Sequence, residues 1–103
     1  MKISAVVKNR FEHHEVIVKT DESAKQVSIA PRSTGFGSSI NGGELLMLSL
    51  ATCFCNDIYR EAAIRNIVVS GVEVIVSGEF GAAGEPGTGF SYKAVVNSDA
   101  PAA

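Results

Sequence analysis

The order of hydrophobic and polar positions predicts three short strands at the start of the chain. Apolar residues alternate with more polar ones around positions 3–7, 16–18 and 27–29. A period of two is typical of half-buried strands, and the polar residues 21–23 provide a turn between the second and third stretches. We therefore expect residues 1–30 to form an antiparallel meander.

One long helix is predicted over about residues 43–65. The glycine-rich loop before it ends at Asn41, which can cap the free N–H groups, and Glu44 can complete a capping box. Apolar residues surround the first half of the helix, whereas the second half is amphipathic and contains a favourable i,i+4 pair, Glu61 and Arg65. At about 1.5 Å per residue this helix spans roughly 33 Å, so we expect it to form the central axis of the fold.

Two more strands are predicted after the helix, one over residues 67–80 and one that begins near Phe90, with a loop at 81–89 between them. Alternating apolar positions support both strands: Val72, Val74, Val76, Phe90, Tyr92, Ala94 and Val96. The order β-β-β-α-β-β predicts an α+β protein with an antiparallel sheet packed on one long helix, in a single domain over residues 1–103.

Residues 97–103 have the composition of a helix start, because capping residues precede Pro101 and two alanines. Two interpretations stay open here. The segment is a frayed tail, or it begins a C-terminal helical part that continues beyond Ala103.

Composition narrows the function class. The 103 residues carry a net charge of −2, with 46% hydrophobic and 19% charged residues, which is typical of a globular chain. The absence of a basic cluster argues against nucleic acid or a membrane as a partner. The N-terminus lacks the pattern of a signal peptide, and two cysteines at 53 and 55 are not a disulfide framework. These features predict a cytoplasmic protein, and no motif predicts a metal or a cofactor.

Cys53 and Cys55 differ in their predicted surroundings. Residues two apart on a helix point roughly 200° apart, so the two thiols cannot bond to each other without unwinding the helix. Cys53 shares its side with Asn56, Asp57 and Arg60, whereas the neighbours of Cys55 are mainly apolar. Either cysteine can be a small buried hydrophobic residue, but the polar side makes Cys53 the candidate nucleophile.

A reactive cysteine needs a stabilised thiolate, because a free thiol with a pKa of about 8.5 is only slightly ionised at neutral pH. Lowering that pKa by about two units requires about 2.7 kcal/mol, which one guanidinium at ~4 Å can supply. Asp57 has the wrong charge. Arg10 and Arg32 are the candidate cations, and the alternative is that each is a solvated loop charge.

Two other motifs predict no chemistry. His13 and His14 are adjacent on a predicted strand, so their side chains face opposite sides and cannot bind one metal ion together. The glycine-rich segment 34–43 precedes a helix but matches neither a P-loop nor a dinucleotide-binding motif, so we interpret it as a crossover loop.

The segment 35–66, GFGSSINGGELLMLSLATCFCNDIYREAAIRN, resembles the OsmC/Ohr family of osmotically induced and organic-hydroperoxide-resistance proteins. Glu44-Leu45-Leu46 and Ala51-Thr52-Cys53 stand where that family has its helix motif, and the flanking strands extend the resemblance over the whole chain. The resemblance implies an intertwined homodimer that reduces organic hydroperoxides. By position, Cys53 would be the peroxidatic cysteine and Arg10 its activating arginine.

The chain departs from the family pattern at the residues that assist catalysis. Gly43 occupies the place of the activating glutamate, and Glu44 lies about 180° around the helix from Cys53. The family's resolving cysteine lies in a later helical region, so Cys55 is not its equivalent. Glu44 and Cys55 stand only as supporting candidates. Two hypotheses follow: a peroxidase, or a non-catalytic OsmC-like domain that binds a small apolar ligand or acts in assembly.

Overall fold

The computed structural model describes residues 1–82 and 85–98 and contains the predicted order of elements, which confirms the α+β class. The elements are β1 (Ile3–Arg10), β2 (His13–Thr20), β3 (Ser23–Val27), α1 (Gly42–Ile64), β4 (Val69–Phe80) and β5 (Gly87–Ser98). The strands form two antiparallel sheets, β1-β2-β3 and β4-β5. The chain divides into two compact units, Met1–Asn41 and Gly42–Ala103, and each is described by itself.

The three-stranded sheet of the first unit is organised around Val16. This residue lies directly between Val7 on β1 and Val27 on β3, and only 7% of its surface is exposed. Apolar cross-strand neighbours of this kind stabilise an antiparallel sheet. Because side chains alternate along a strand, Arg10 and its partner His13 lie on the opposite face from Val7 and Val16.

Asn9 holds the loop after β3 against the β1–β2 hairpin. Its side-chain amide donates to the Gly37 carbonyl (3.1 Å), its carbonyl accepts from the Gly37 N–H (2.9 Å), and its nitrogen also lies 2.9 Å from Nδ1 of His14. The rings of Phe11 and Phe36 pack edge to face nearby, with their centroids 5.5 Å apart. The loop is therefore fixed by both polar and aromatic contacts.

In the second unit, the start and end of α1 follow from local sequence. Asn41 directly precedes the first helical residue, which is the position of an N-cap. At the other end, Asn66 adopts a left-handed conformation (φ 54°), and its N–H donates to the Ala63 carbonyl (3.2 Å). The N–H of Ile67 donates to the Ala62 carbonyl (2.9 Å), and this pair of bonds forms a Schellman motif. The helix therefore ends one residue earlier than predicted.

The hairpin of β4 and β5 packs against one side of α1. Val72, Val74 and Val76 alternate with exposed residues along β4 and are half-buried, as the sequence pattern predicted. The helix lies over β4 and reaches β5 through a ring stack. Most of β5 is consequently exposed, including the residues of its helix-facing side.

Strand boundaries differ from prediction in two places. The Schellman motif occupies Asn66 and Ile67, so β4 begins at Val69 rather than at 67. The predicted 81–89 loop is shorter, because β5 already begins at Gly87. Asn97 and Ser98 belong to β5, and the remainder of the predicted C-terminal helix start lies outside the described residues. Over the ranges 1–82 and 85–98, no helix has the length and hydropathy needed to cross a membrane.

Candidate functional site

The half-buried positions of α1 form a single face, which turns toward β4. Their spacing of three and four residues is that of one helix side. They are Gly43, Met47, Leu50, Ala51, Phe54, Cys55 and Ile58, and the buried residue Ala62 continues the same face. Cys55 belongs to this face, whereas Cys53 lies outside it and is exposed. The helix geometry thus gives the two free thiols different surroundings.

The side of α1 that carries Cys53 is polar along its second half. The carboxylate of Asp57, four residues after Cys53, forms an ion pair with Arg60. Both side chains are more than half exposed, so this pair contributes little to stability. The Arg60 guanidinium partly offsets the negative charge of Asp57, which lies about one turn from the Cys53 thiol.

The hydroxyl groups near Cys53 are occupied by the backbone of the helix. Ser49 donates to the Leu46 carbonyl (2.7 Å), and Thr52 donates to the Leu48 carbonyl (2.8 Å). Such bonds to the preceding turn are common for serine and threonine inside helices. Both hydroxyl groups are therefore already hydrogen-bonded within the helix.

Cys55 is half-buried against the sheet. With Ala51, Thr52, Asn56 and Val74 it lines an open groove of about 260 Å³. This position agrees with the predicted apolar surroundings, although the groove leaves the residue partly accessible.

The other sequence candidates lie at separate places in the chain. Glu44 is in the first turn of α1, more than two turns before Cys53. Arg10 is the last residue of β1, opposite His13, and Arg32 lies with its side chain against Gly37. Both arginines belong to the first unit and Cys53 belongs to the second, so the role assigned to Arg10 stays a prediction.

A second feature of the Gly42–Ala103 unit is an apolar groove of about 160 Å³ between α1 and the hairpin. It is lined by Leu50, Phe54, Val76, Phe90, Ser91 and Tyr92. The rings of Phe54 and Tyr92 are stacked, with centroids 4.6 Å apart and planes inclined by 19°. Phe90 lies edge-on to Phe80, with centroids 6.2 Å apart. The alternating sequence pattern predicted that Phe90 and Tyr92 share one face of a strand. No feature of the sequence predicted that Tyr92 stacks on Phe54.

A larger groove in the first unit has a different character. Its volume is about 500 Å³, and its lining mixes two lysines with Asp21 and Glu22. Lys19 lies 3.9 Å from Glu22, and the Asp21 carboxylate accepts the N–H of Lys2. One ion pair and one bond from a backbone amide to a carboxylate thus lie along this groove. Within residues 1–82 and 85–98, no cluster of three or more histidine, cysteine or acidic side chains could hold a metal ion.

Comparison with known proteins adds no assignment. No family model matches the sequence. A search of curated proteins and a search of solved structures likewise found no match.

Proposed function

We propose that this protein is a thiol-dependent peroxidase that reduces organic hydroperoxides through Cys53. The observation that carries the proposal is the free, exposed thiol of Cys53 on the polar side of α1, while Cys55 faces the sheet. An exposed thiol can meet a peroxide directly. The resemblance of the helix segment to the OsmC/Ohr motif supports the same residue.

The proposed reaction begins with the Cys53 thiolate. Its sulfur attacks the terminal oxygen of the hydroperoxide, an S–O bond forms and the O–O bond breaks. The alkoxide leaves with the electron pair of the O–O bond and takes up one proton to become the alcohol. The sulfur, oxidised by two electrons, becomes a sulfenic acid. An external dithiol returns the two electrons, which regenerates the thiol and releases water and a disulfide.

Arg10 is the proposed stabiliser of the thiolate. Its guanidinium would supply a positive charge beside Cys53, since Arg60 on the same helix is already paired with Asp57. We further propose that the protein works as a homodimer in the reducing cytoplasm, where two free thiols persist. Glu44 and Cys55 stay supporting candidates in this proposal.

The proposal is tested by following cumene hydroperoxide consumption with dithiothreitol as the reductant. The wild-type protein should consume peroxide catalytically, Cys53→Ser should be inactive, and Cys55→Ser should retain most of the activity. Arg10→Ala should lose at least roughly tenfold of the rate, because about 1.4 kcal/mol of transition-state stabilisation corresponds to that factor. Equal rates for the wild type and Cys53→Ser would refute the proposal.

A non-catalytic function is the second candidate, and the exposed apolar surface of the second unit favours it. Leu48, Phe90 and Tyr92 are each more than half exposed. Phe90 and Tyr92 line one groove, and exposed apolar surface of this kind marks binding or assembly sites. In this alternative, the domain binds a small apolar ligand or assembles with another chain, and Cys53 has no redox role.

A further inference from the structure

We infer that the apolar groove between α1 and the hairpin is a binding site for a small, flat, uncharged aromatic molecule. The inference deepens the ligand-binding alternative, because it names the site and the class of ligand, and it does not depend on chemistry at Cys53. The groove lies wholly within the Gly42–Ala103 unit.

Size is the first argument for this ligand class. The volume of about 160 Å³ is close to that of an apolar cavity of roughly 150 Å³ that takes up benzene. A single six-membered ring with one or two small substituents fits this space, whereas a peptide or a long acyl chain exceeds it. The groove also opens to solvent, so such a molecule needs no unfolding to enter.

The lining supplies the second argument. Three aromatic side chains, Phe54, Phe90 and Tyr92, contribute walls, and aromatic pairs gain affinity beyond the area that they bury. No lining residue is charged, so an ionised ligand would lose its hydration without a partner. Ser91 is bonded to Ser77 across the hairpin, and Tyr92 is the other lining residue that carries a hydroxyl group.

The third argument is that the rings are held in place before a ligand arrives. A Cβ added at Gly78 would lie 2.5 Å from Cδ1 of Phe90, so the ring lies directly against the backbone at this glycine. Tyr92 is fixed by its stack on Phe54, which is itself half-buried on α1. A groove whose walls are already ordered binds with less loss of conformational entropy.

The test is an NMR titration with p-cresol, with 4-methylcyclohexanol and benzoate as comparison compounds. Saturable shifts should map to Phe54 and Tyr92, with a dissociation constant on the order of 1 mM for a ligand of this size. The saturated alcohol and benzoate should each bind at least about tenfold more weakly. Shifts that do not saturate, or equal affinity for the saturated ring, would overturn the inference.

Variants separate the groove from other sites. Two variants, Phe54→Leu and Tyr92→Leu, should each weaken p-cresol binding about tenfold. Tyr92 lies at an exposed strand position, and circular dichroism checks that both variants fold. The matched control Phe36→Leu removes an aromatic ring from the first unit and should leave binding unchanged. Unchanged affinity in a folded groove variant would overturn the inference.

A further variant distinguishes this site from the proposed peroxidase. Cys53→Ser should bind p-cresol as the wild type does, even though it should lose peroxide consumption. Loss of p-cresol binding in folded Cys53→Ser would contradict the independence of the two sites. If only 4-methylcyclohexanol bound at the groove, ligand binding would stand and the aromatic class would fall.

Discussion

Gly37 shows how a single backbone angle fixes the loop of the first unit. Its φ of 105° lies in a region that L-residues with a Cβ rarely adopt, and its N–H and C=O are both bonded to Asn9. An added Cβ would also lie only 3.0 Å from Nε of Arg32. A side chain introduced at this position would therefore meet both backbone strain and crowding.

Gly37→Ala should lower the free energy of unfolding by about 2 kcal/mol, measured by urea denaturation. Gly35→Ala is the matched control, because Gly35 also has a positive φ (85°) but no atom within 4 Å of an added Cβ. The control should lose about 1 kcal/mol, from strain alone. Equal losses in the two variants would show that the Arg32 contact has no energetic weight.

At this scale, the sequence correctly predicted that Cys53 is the more exposed of the two cysteines. The 100° turn per residue was sufficient to place Cys55 among apolar neighbours and Cys53 on the polar side of the helix. It could not identify the contact of Asn9 with Gly37 or that of Tyr92 with Phe54, because these pairs are 28 and 38 positions apart. Helix periodicity constrains neighbours within a few turns and carries no information on such distant pairs.

At the scale of elements, α1 shows which boundaries the sequence can predict. The apolar run and the Glu61–Arg65 pair were both confirmed, and the start differs from prediction by one residue. The end also differs by one residue, and its signal is a single asparagine. Asn66 tolerates a left-handed conformation, and it closes the helix where glycine more often stands.

Asn66→Ala should therefore lower the free energy of unfolding by about 1 kcal/mol, because alanine pays the full cost of a left-handed conformation. Asn66→Gly is the control and should change stability by no more than about 0.5 kcal/mol. Thermal or urea denaturation followed by helical circular dichroism measures both. A glycine variant as unstable as the alanine variant would indicate that the asparagine side chain, rather than its backbone angle, stabilises the helix end.

At the scale of the whole molecule, exposed hydrophobic side chains outnumber buried ones. In the ranges 1–82 and 85–98, only Val16 and Ala62 are buried. Four aliphatic residues of α1 have exposed fractions between 38% and 68%, namely Leu45, Leu46, Leu48 and Ile64. Together they equal about two fully exposed side chains, whose burial would contribute about 3–6 kcal/mol. This surface is the physical basis for the proposed homodimer.

We expect sedimentation analysis to give about twice the chain mass at micromolar concentration. Leu48→Lys should raise the dimer dissociation constant at least about tenfold, because it removes apolar area and places a charge in the interface. Thr88→Lys adds the same charge at an exposed position of β5 and should leave association unchanged. A wild-type protein that sediments as a monomer would contradict the proposed assembly.

The central claim concerns the thiol of Cys53, and mass spectrometry after one equivalent of cumene hydroperoxide tests it most directly. The account predicts that the peptide containing both cysteines gains one oxygen atom, that fragmentation places this atom on Cys53, and that dimedone traps it as a sulfenic acid. Under the same conditions Cys55 should remain unmodified. Oxidation of Cys55 with Cys53 intact, or no oxidation of either thiol, would contradict the account.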